Sequence, residues 1–204
     1  MTAVLERWLI MIEKFEQTIK CEINELFDTL DYQLLNDAKE LILVSENKGG
    51  RVHVTGIGKP SYVSGYIASL LSSTGTPAYF LDGTEAVHGS SGQVKAGDVV
   101  IVISNSGETA ELLYTVRTVK ENGAKIIGVS KSRGSSLSQL SDICLCTKTK
   151  EEGDDLNKPP RASIIKQTLL LQSLSILLQN ERNLSPNDYV AWHPGGAIGE
   201  SLGA

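Results

Sequence analysis

Two short segments concentrate the residues able to do chemistry. Ser104-Asn105-Ser106-Gly107-Glu108-Thr109 sets three hydroxyls around a glycine, directly after the apolar run Val99 to Ile103 and ahead of a helical pattern. Hydroxyl and main-chain donors at such a strand-to-helix turn can wrap a phosphate. A plainer reading is a helix cap by Ser106 with Thr109 at the third position. Three hydroxyls exceed what a cap needs, which favours an anion site. Glu111 then falls in the first turn of the following helix, where a carboxylate complements the helix dipole and lies near whatever the serines hold.

The second segment is Gly56-Ile57-Gly58-Lys59-Pro60-Ser61. Its glycines let the backbone approach a ligand, Pro60 suits a first helical position, and helix-start amides beside the Lys59 ammonium attract an anion. The same residues also suit a bare tight turn with a solvated lysine, and this loop alone does not decide between them. It is not a Walker loop, which needs glycine where His53 stands and Ser or Thr where Pro60 stands. As a dinucleotide fingerprint it lacks the third glycine, with Ser61 in its place, so a nicotinamide-dependent oxidoreductase resting on Gly56, Gly58 and Asp82 is a distant reading.

These turns need elements to position them. Five β-rich runs, RVHVTG, PAYFL, DVVIVIS, AKIIGVS and DICLCT, start at residues 51, 77, 98, 124 and 142. Continuous apolar runs suit strands covered on both faces, and helical patterns between them demand parallel crossovers. Two crossover helices are legible, one carrying Val63, Tyr66, Ile67, Leu70 and Leu71, the other Leu112, Leu113, Val116 and Val119. The expectation is an α/β fold with a doubly wound parallel sheet of five strands, its ligand outside the strand C-termini where the two unusual turns lie. Residues 1–48 read as helix, from Leu5, Leu9, Ile12, Phe15, Ile19, Ile23, Leu26 and Leu30 at three- or four-residue steps and a second set at Leu34, Leu35, Ala38, Leu41 and Ile42. This predicts an N-terminal helical arm over 1–48, packed on its own domain or on a second subunit, and one domain over 49–204.

The chain has 204 residues, 41% hydrophobic and 21% charged, an ordinary globular balance. Nineteen basic and twenty-four acidic side chains give a net charge of −5. Ten of the acids and five of the bases fall in residues 1–48, so the rest is close to neutral. An acidic arm argues against nucleic acid as a partner. Polar residues interrupt the apolar stretch Ile164 to Leu178, and the first residues lack a basic n-region, so neither a membrane partner nor a leader is expected and the default location is cytoplasmic. Three cysteines make no disulfide framework; Cys144 and Cys146 sit on one face of a strand and read as buried small hydrophobes. No His/Cys/Asp set has convincing metal spacing, and no G-x-S-x-G elbow follows a strand.

GIGK at 56–59, TEAVHG at 84–89, ISNSGETAE at 103–111 and AWHPGGAIGESL at 191–202 together resemble the sugar isomerase (SIS) domain family, specifically its arabinose-5-phosphate isomerase group. The resemblance runs from about residue 40 to the end. It implies a five-stranded parallel sheet, assembly as homodimers or homotetramers, and phosphosugar sites near subunit boundaries. By matching position, Lys59 resembles the family's active-site lysine, and Ser104, Ser106 and Thr109 resemble its phosphate clamp, with Gly58, Ser61 and Asn105 alongside. Glu111, Glu152 and His193 correspond to its acid and base candidates, and His88 matches another active-site histidine. Pro60-Ser61 replaces the usual Ser-Gly, and Pro160-Arg161-Ala162-Ser163 replaces a Thr/Ser-rich turn; Arg161 is a further phosphate or carboxylate partner. Glu151 competes with Glu152 under a one-residue shift. Relatives often append paired cystathionine-β-synthase domains, which are not expected here.

The expected function is therefore a phosphosugar aldose–ketose isomerase of the arabinose 5-phosphate type, working through an enediol with no metal or redox cofactor. Glu152 or Glu111 would move the carbon proton, His193, from its own or a neighbouring subunit, would open the ring or shuttle protons between oxygens, and Lys59 would steady negative charge. The alternative is a non-catalytic phosphosugar sensor of the same fold.

Overall fold

The computed structural model describes residues 3–200. Its five parallel strands are β1 (Val52–Gly56), β2 (Ala78–Asp82), β3 (Val99–Ile103), β4 (Lys125–Ser130) and β5 (Ile143–Cys146), in the order β2-β1-β3-β4-β5. All five expected runs form strands. Eight helices accompany them among the described residues: α1 (Ala3–Asp28), α2 (Tyr32–Glu46), α3 (Lys59–Ser73), α4 (Ala110–Glu121), α5 (Ser136–Leu140), α6 (Ala162–Glu181), α7 (Pro186–Ala191) and α8 (Gly196–Glu200).

The sheet is buried on both faces because helices cover each. On one side Leu35, Ala38 and Ile42 of α2, Val63, Ile67 and Leu71 of α3, and Leu170, Leu171, Leu174 and Leu178 of α6 pack against Val54, Ile101, Ile103 and Ile127. On the other, Leu112, Leu113, Val116 and Val119 of α4 with Leu137 of α5 cover Val100, Val102 and Ile126. The unbroken apolar strands answer to this two-sided burial.

Three features differ from expectation. The N-terminal helical stretch breaks at Thr29–Asp31, where Asp31 caps α2 by accepting from the Leu34 amide at 3.1 Å. The second of the two helices belongs to the core, whereas Leu5, Leu9 and Ile12 at the start of the first are exposed. The β2–β3 connection contains no α-helix but two short 3-10 turns, Glu85–His88 and Ser90–Gln93, plugged into the core by Ala86 and Val94.

One buried polar cluster ties α1 to the rest. The Lys166 ammonium of α6, fully buried, donates to Glu22 Oε2 at 2.6 Å. Glu22 Oε1 accepts from the Lys150 and Glu151 amides at 3.0 and 2.9 Å. Burial by itself raises the Glu22 pKa, but the Lys166 ammonium and those amides outweigh it and hold the carboxyl below its ordinary 4.5.

Removing one member strands the other as a buried charge. Lys166→Met should cost about 3–5 kcal/mol in urea unfolding, and the Glu22→Leu/Lys166→Met double variant should recover much of that. Additive losses in the double variant would show that the pair is not coupled. Because the Glu22 pKa is depressed on folding, its contribution is complete above the unfolded value and disappears as pH falls through the folded one. The wild type should lose stability in acid more steeply than Glu22→Gln.

Candidate active site

In this strand order the chain leaves β1 toward one edge and β3 toward the other, while the ends of β1 and β3 stay paired, Gly56 opposite Ile103. The turn after β1 feeds α3 on one face of the sheet and the turn after β3 feeds α4 on the opposite face. Their divergence opens a crevice at the C-terminal edge, the usual ligand position in such sheets. A cleft of ≈ 280 Å³ lies there. Ile57 and Pro60 line it from the first turn, and Ser104, Asn105, Ser106 and Thr109 from the second. The segment after β5 and the start of α6 close it with Glu152, Lys158, Pro160, Ser163 and Gln167.

The Ser104–Thr109 loop is braced from within and from behind. Ser104 Oγ accepts from the Gly107 amide at 3.1 Å and Ser106 Oγ from the Glu108 amide at 3.2 Å. Gly107 has φ +70°, and a Cβ there would sit 2.5 Å from Ser135 Oγ, so both backbone and space demand glycine. The Glu108 carboxylate accepts from the Ser136 amide and hydroxyl at 2.8 and 2.6 Å, clamping the loop to α5. The cap differs from expectation: α4 begins at Ala110 with Thr109 as N-cap, not with Ser106, because the two serines are spent on turns inside the loop. The Thr109 side chain makes no capping bond, so its hydroxyl and the first α4 amides remain available to an anion at the cleft.

Across the cleft, Glu152 is 7% exposed. Its Oε2 accepts from the Arg161 and Ser163 amides at 2.7 and 3.0 Å, so this carboxylate supplies the cap that the helix's own N-cap residue, Arg161, does not. Oε1 makes no hydrogen bond with the described residues. Beside it are polar atoms that are buried without any partner: Ser163 Oγ, both amide atoms of Gln167 and Asn105 Oδ1. Leaving such groups unmade costs about 1–3 kcal/mol each, a penalty that a hydrogen-bonding ligand relieves.

The other expected residues stand elsewhere. Gly58, with φ +68°, is the N-cap of α3, and Ser61 Oγ donates back to its carbonyl at 2.6 Å rather than facing the cleft. Lys59 at the start of α3 and Glu111 in the first turn of α4 are exposed and do not line the cleft. His88 is exposed at the end of the first 3-10 turn. The Arg161 guanidinium is engaged by Asp154 at 2.6 Å and lines a separate hollow with Met11, Lys14 and Phe15.

His193 follows α7. Its Nδ1 lies 2.6 Å from the Tyr189 carbonyl and its ring stacks on Tyr189 with centroids 4.1 Å apart. A carbonyl only accepts, so Nδ1 carries a proton and Nε2 is left as the ring's free position. The neighbouring Trp192 ring packs at Gly75, in the turn entering β2. That is the N-terminal edge of the sheet, opposite the cleft. Within one chain His193 and Glu152 are therefore not brought together.

Lys158, Ser163 and Gln167 line the cleft although the sequence reading does not single them out as site residues. A signal exists for two of them: Ser163 and Gln167 are polar, four apart and hence on one face of a helix whose other buried positions are mostly leucine.

The SIS domain model matches residues 46–177. A protein of Helicobacter pylori (strain J99) with no stated function is 37% identical over 91% of this chain and 58% of its own. The arabinose 5-phosphate isomerase KdsD of Pseudomonas aeruginosa is 34% identical over 95% of this chain and 59% of its own. The chain thus spans somewhat under two thirds of the length of these relatives. Among solved structures, Escherichia coli CFT073 c3406 in complex with arabinose 5-phosphate superposes with a TM-score of 0.86 at 30% identity, covering 95% of this chain and all of that one.

The double role of Glu152 separates two substitutions. Glu152→Gln keeps an oxygen for the Arg161 and Ser163 amides and should unfold near the wild-type midpoint. Glu152→Ala leaves the α6 start uncapped and should lose about 1–2 kcal/mol in urea unfolding. Equal stability of the two variants would remove the capping role.

Proposed function

The chain belongs to the SIS domain family, and on that premise we propose that it is a phosphosugar aldose–ketose isomerase interconverting D-arabinose 5-phosphate and D-ribulose 5-phosphate through an enediol. The observation that carries this reading is the pairing, across one cleft, of the hydroxyl-and-amide cradle Ser104–Thr109 with a buried carboxylate, Glu152, that has one oxygen held and one uncommitted.

The phosphate lies on Ser104, Ser106, Thr109 and the first amides of α4, with Lys158 as the cation at the cleft. The open-chain sugar then runs toward Glu152. Its Oε1 takes the proton from C2 of the aldose and returns it to C1, while the proton on O2 moves to O1. The two amide donors on Oε2 keep the carboxylate aimed, a positional contribution. Gln167, Ser163 and Asn105 offer the sugar oxygens the partners they themselves lack. Glu152 is favoured over Glu111 as the carbon base because Glu111 is exposed on α4 outside the cleft.

His193, from the opposite edge of the sheet, serves the cleft of a second protomer through Nε2, shuttling the oxygen proton. Lys59 and His88, both exposed near the C-terminal edge, are assigned to the rim that such a partner covers. A homo-oligomer also accounts for the bare apolar start of α1, where Trp8, Ile10, Met11 and Ile12 are each more than half exposed.

Incubation with arabinose 5-phosphate in deuterated water should give ketose with solvent deuterium incorporated at the transferred position. Glu152→Gln should reduce exchange by about 10²-fold or more while retaining phosphosugar affinity. Ser104→Ala should weaken affinity roughly tenfold, about 1.4 kcal/mol for one lost hydrogen bond. Full exchange by Glu152→Gln would move the base to Glu111 or Glu151, and binding by the wild type without exchange would favour the sensor.

A further inference from the structure

We propose that Cys144 and Cys146 form a binding site for a soft monovalent d10 metal ion of the copper(I) class, on the edge strand β5 and apart from the cleft. The two sulfurs lie 4.0 Å apart because residues i and i+2 of a strand share a face. β5 pairs only with β4, with Cys144 opposite Gly128 and Cys146 opposite Ser130. Both thiols are half-buried, and Cys146 borders a cavity of ≈ 100 Å³ that shares no residue with the cleft.

The separation decides between the chemistries open to two adjacent thiols. With metal–sulfur bonds of about 2.3 Å, 4.0 Å between sulfurs corresponds to a sulfur–metal–sulfur angle of ~120°, and opening to about 4.6 Å gives the linear two-coordinate form. A disulfide instead needs the sulfurs at about 2.0 Å and Cα atoms typically about 5.5–6 Å apart, whereas two strand steps span about 6.6 Å. Bridging would pucker β5; holding a metal ion leaves it as built. Among the described residues no group of three or more His, Cys, Asp or Glu side chains could hold a metal ion, so zinc, which wants three or four protein ligands, is poorly served. A soft monovalent ion is satisfied by two thiolates.

The surroundings favour one thiolate, on Cys144. The adjacent Cys146 thiol first, and then the Ser138 and Ser130 hydroxyls and the Arg133 charge, bring Cys144 to about 6 against the cost of burial. Cys146 is pushed up while it shares its proton with Cys144, and a metal ion displaces that proton. Near neutral pH binding releases that one shared proton and leaves a complex of net charge −1. The Arg133 guanidinium, paired with Asp31 at 2.7 Å and lining the same cavity as Cys146, supplies the counter-charge.

The full chain, kept anaerobic and reduced, should withdraw one copper(I) per chain from its bicinchoninate complex. Cys21→Ser should retain this and the Cys144→Ser/Cys146→Ser double variant, checked for folding by circular dichroism, should lose it. X-ray absorption on the wild type should show two sulfur neighbours at about 2.2–2.3 Å. Withdrawal by the double variant equal to wild type, no withdrawal by the wild type, or absence of sulfur neighbours would each overturn the site, as would recovery of Cys144 and Cys146 solely as an intramolecular disulfide.

Discussion

A buried carboxylate outside the cleft keeps the cleft's far wall in register. Glu22 receives the Lys166 ammonium on one oxygen and two consecutive loop amides on the other, and so joins α1, α6 and the segment carrying Glu152 at a single point. A fully buried lysine is tolerable only with its charge matched and hydrogen-bonded, so geometry at this point admits little slack. Since the Glu151 amide is one of the donors, the backbone is registered immediately before Glu152. The same segment then returns to α6, where Glu152 binds the helix start. The long loop after β5 is thus pinned on both sides of Glu152, without any regular secondary structure of its own.

The two walls of the cleft are held by independent means. The Ser104–Thr109 loop is fixed to α5 through Glu108 and to β4 through the Ser104 amide, which donates to the Val129 carbonyl at 3.0 Å. The opposite wall is fixed through α1 and α6. Between them lie the unpartnered atoms of Asn105, Ser163 and Gln167. Buried polar groups are ordinarily satisfied, so several orphans in one concavity mark a place where the fold has accepted a local cost.

The position of His193 gives the assembly question its shape. A five-residue strand separates the two edges of the sheet by roughly 16 Å, so one chain does not span from Tyr189 to its own Glu152. The exposed apolar side chains at the start of α1 and the distant histidine are the two features that the proposed second copy of the chain would explain.

The strands are legible from residue types alone, because a run such as Val99 to Ile103 has no polar side to turn to water and must be covered twice. So is the hydroxyl-rich turn that lines the cleft, since its serines and glycine are contiguous in the chain. The cap on α4 lies three residues beyond the serine that spacing favours, because local spacing does not reveal that Ser104 and Ser106 bond within their own loop. The break between α1 and α2 is similarly obscured, since one apolar periodicity runs smoothly into the next. The long-range pairings come from packing in three dimensions: Glu22 with Lys166, Glu152 with the start of α6, Gln167 with the cleft, and His193 with the far edge of the sheet. Each joins residues whose proximity follows from how helices stack on a twisted sheet, and a linear pattern of hydrophobic and polar residues specifies which face is buried but not what that face will meet.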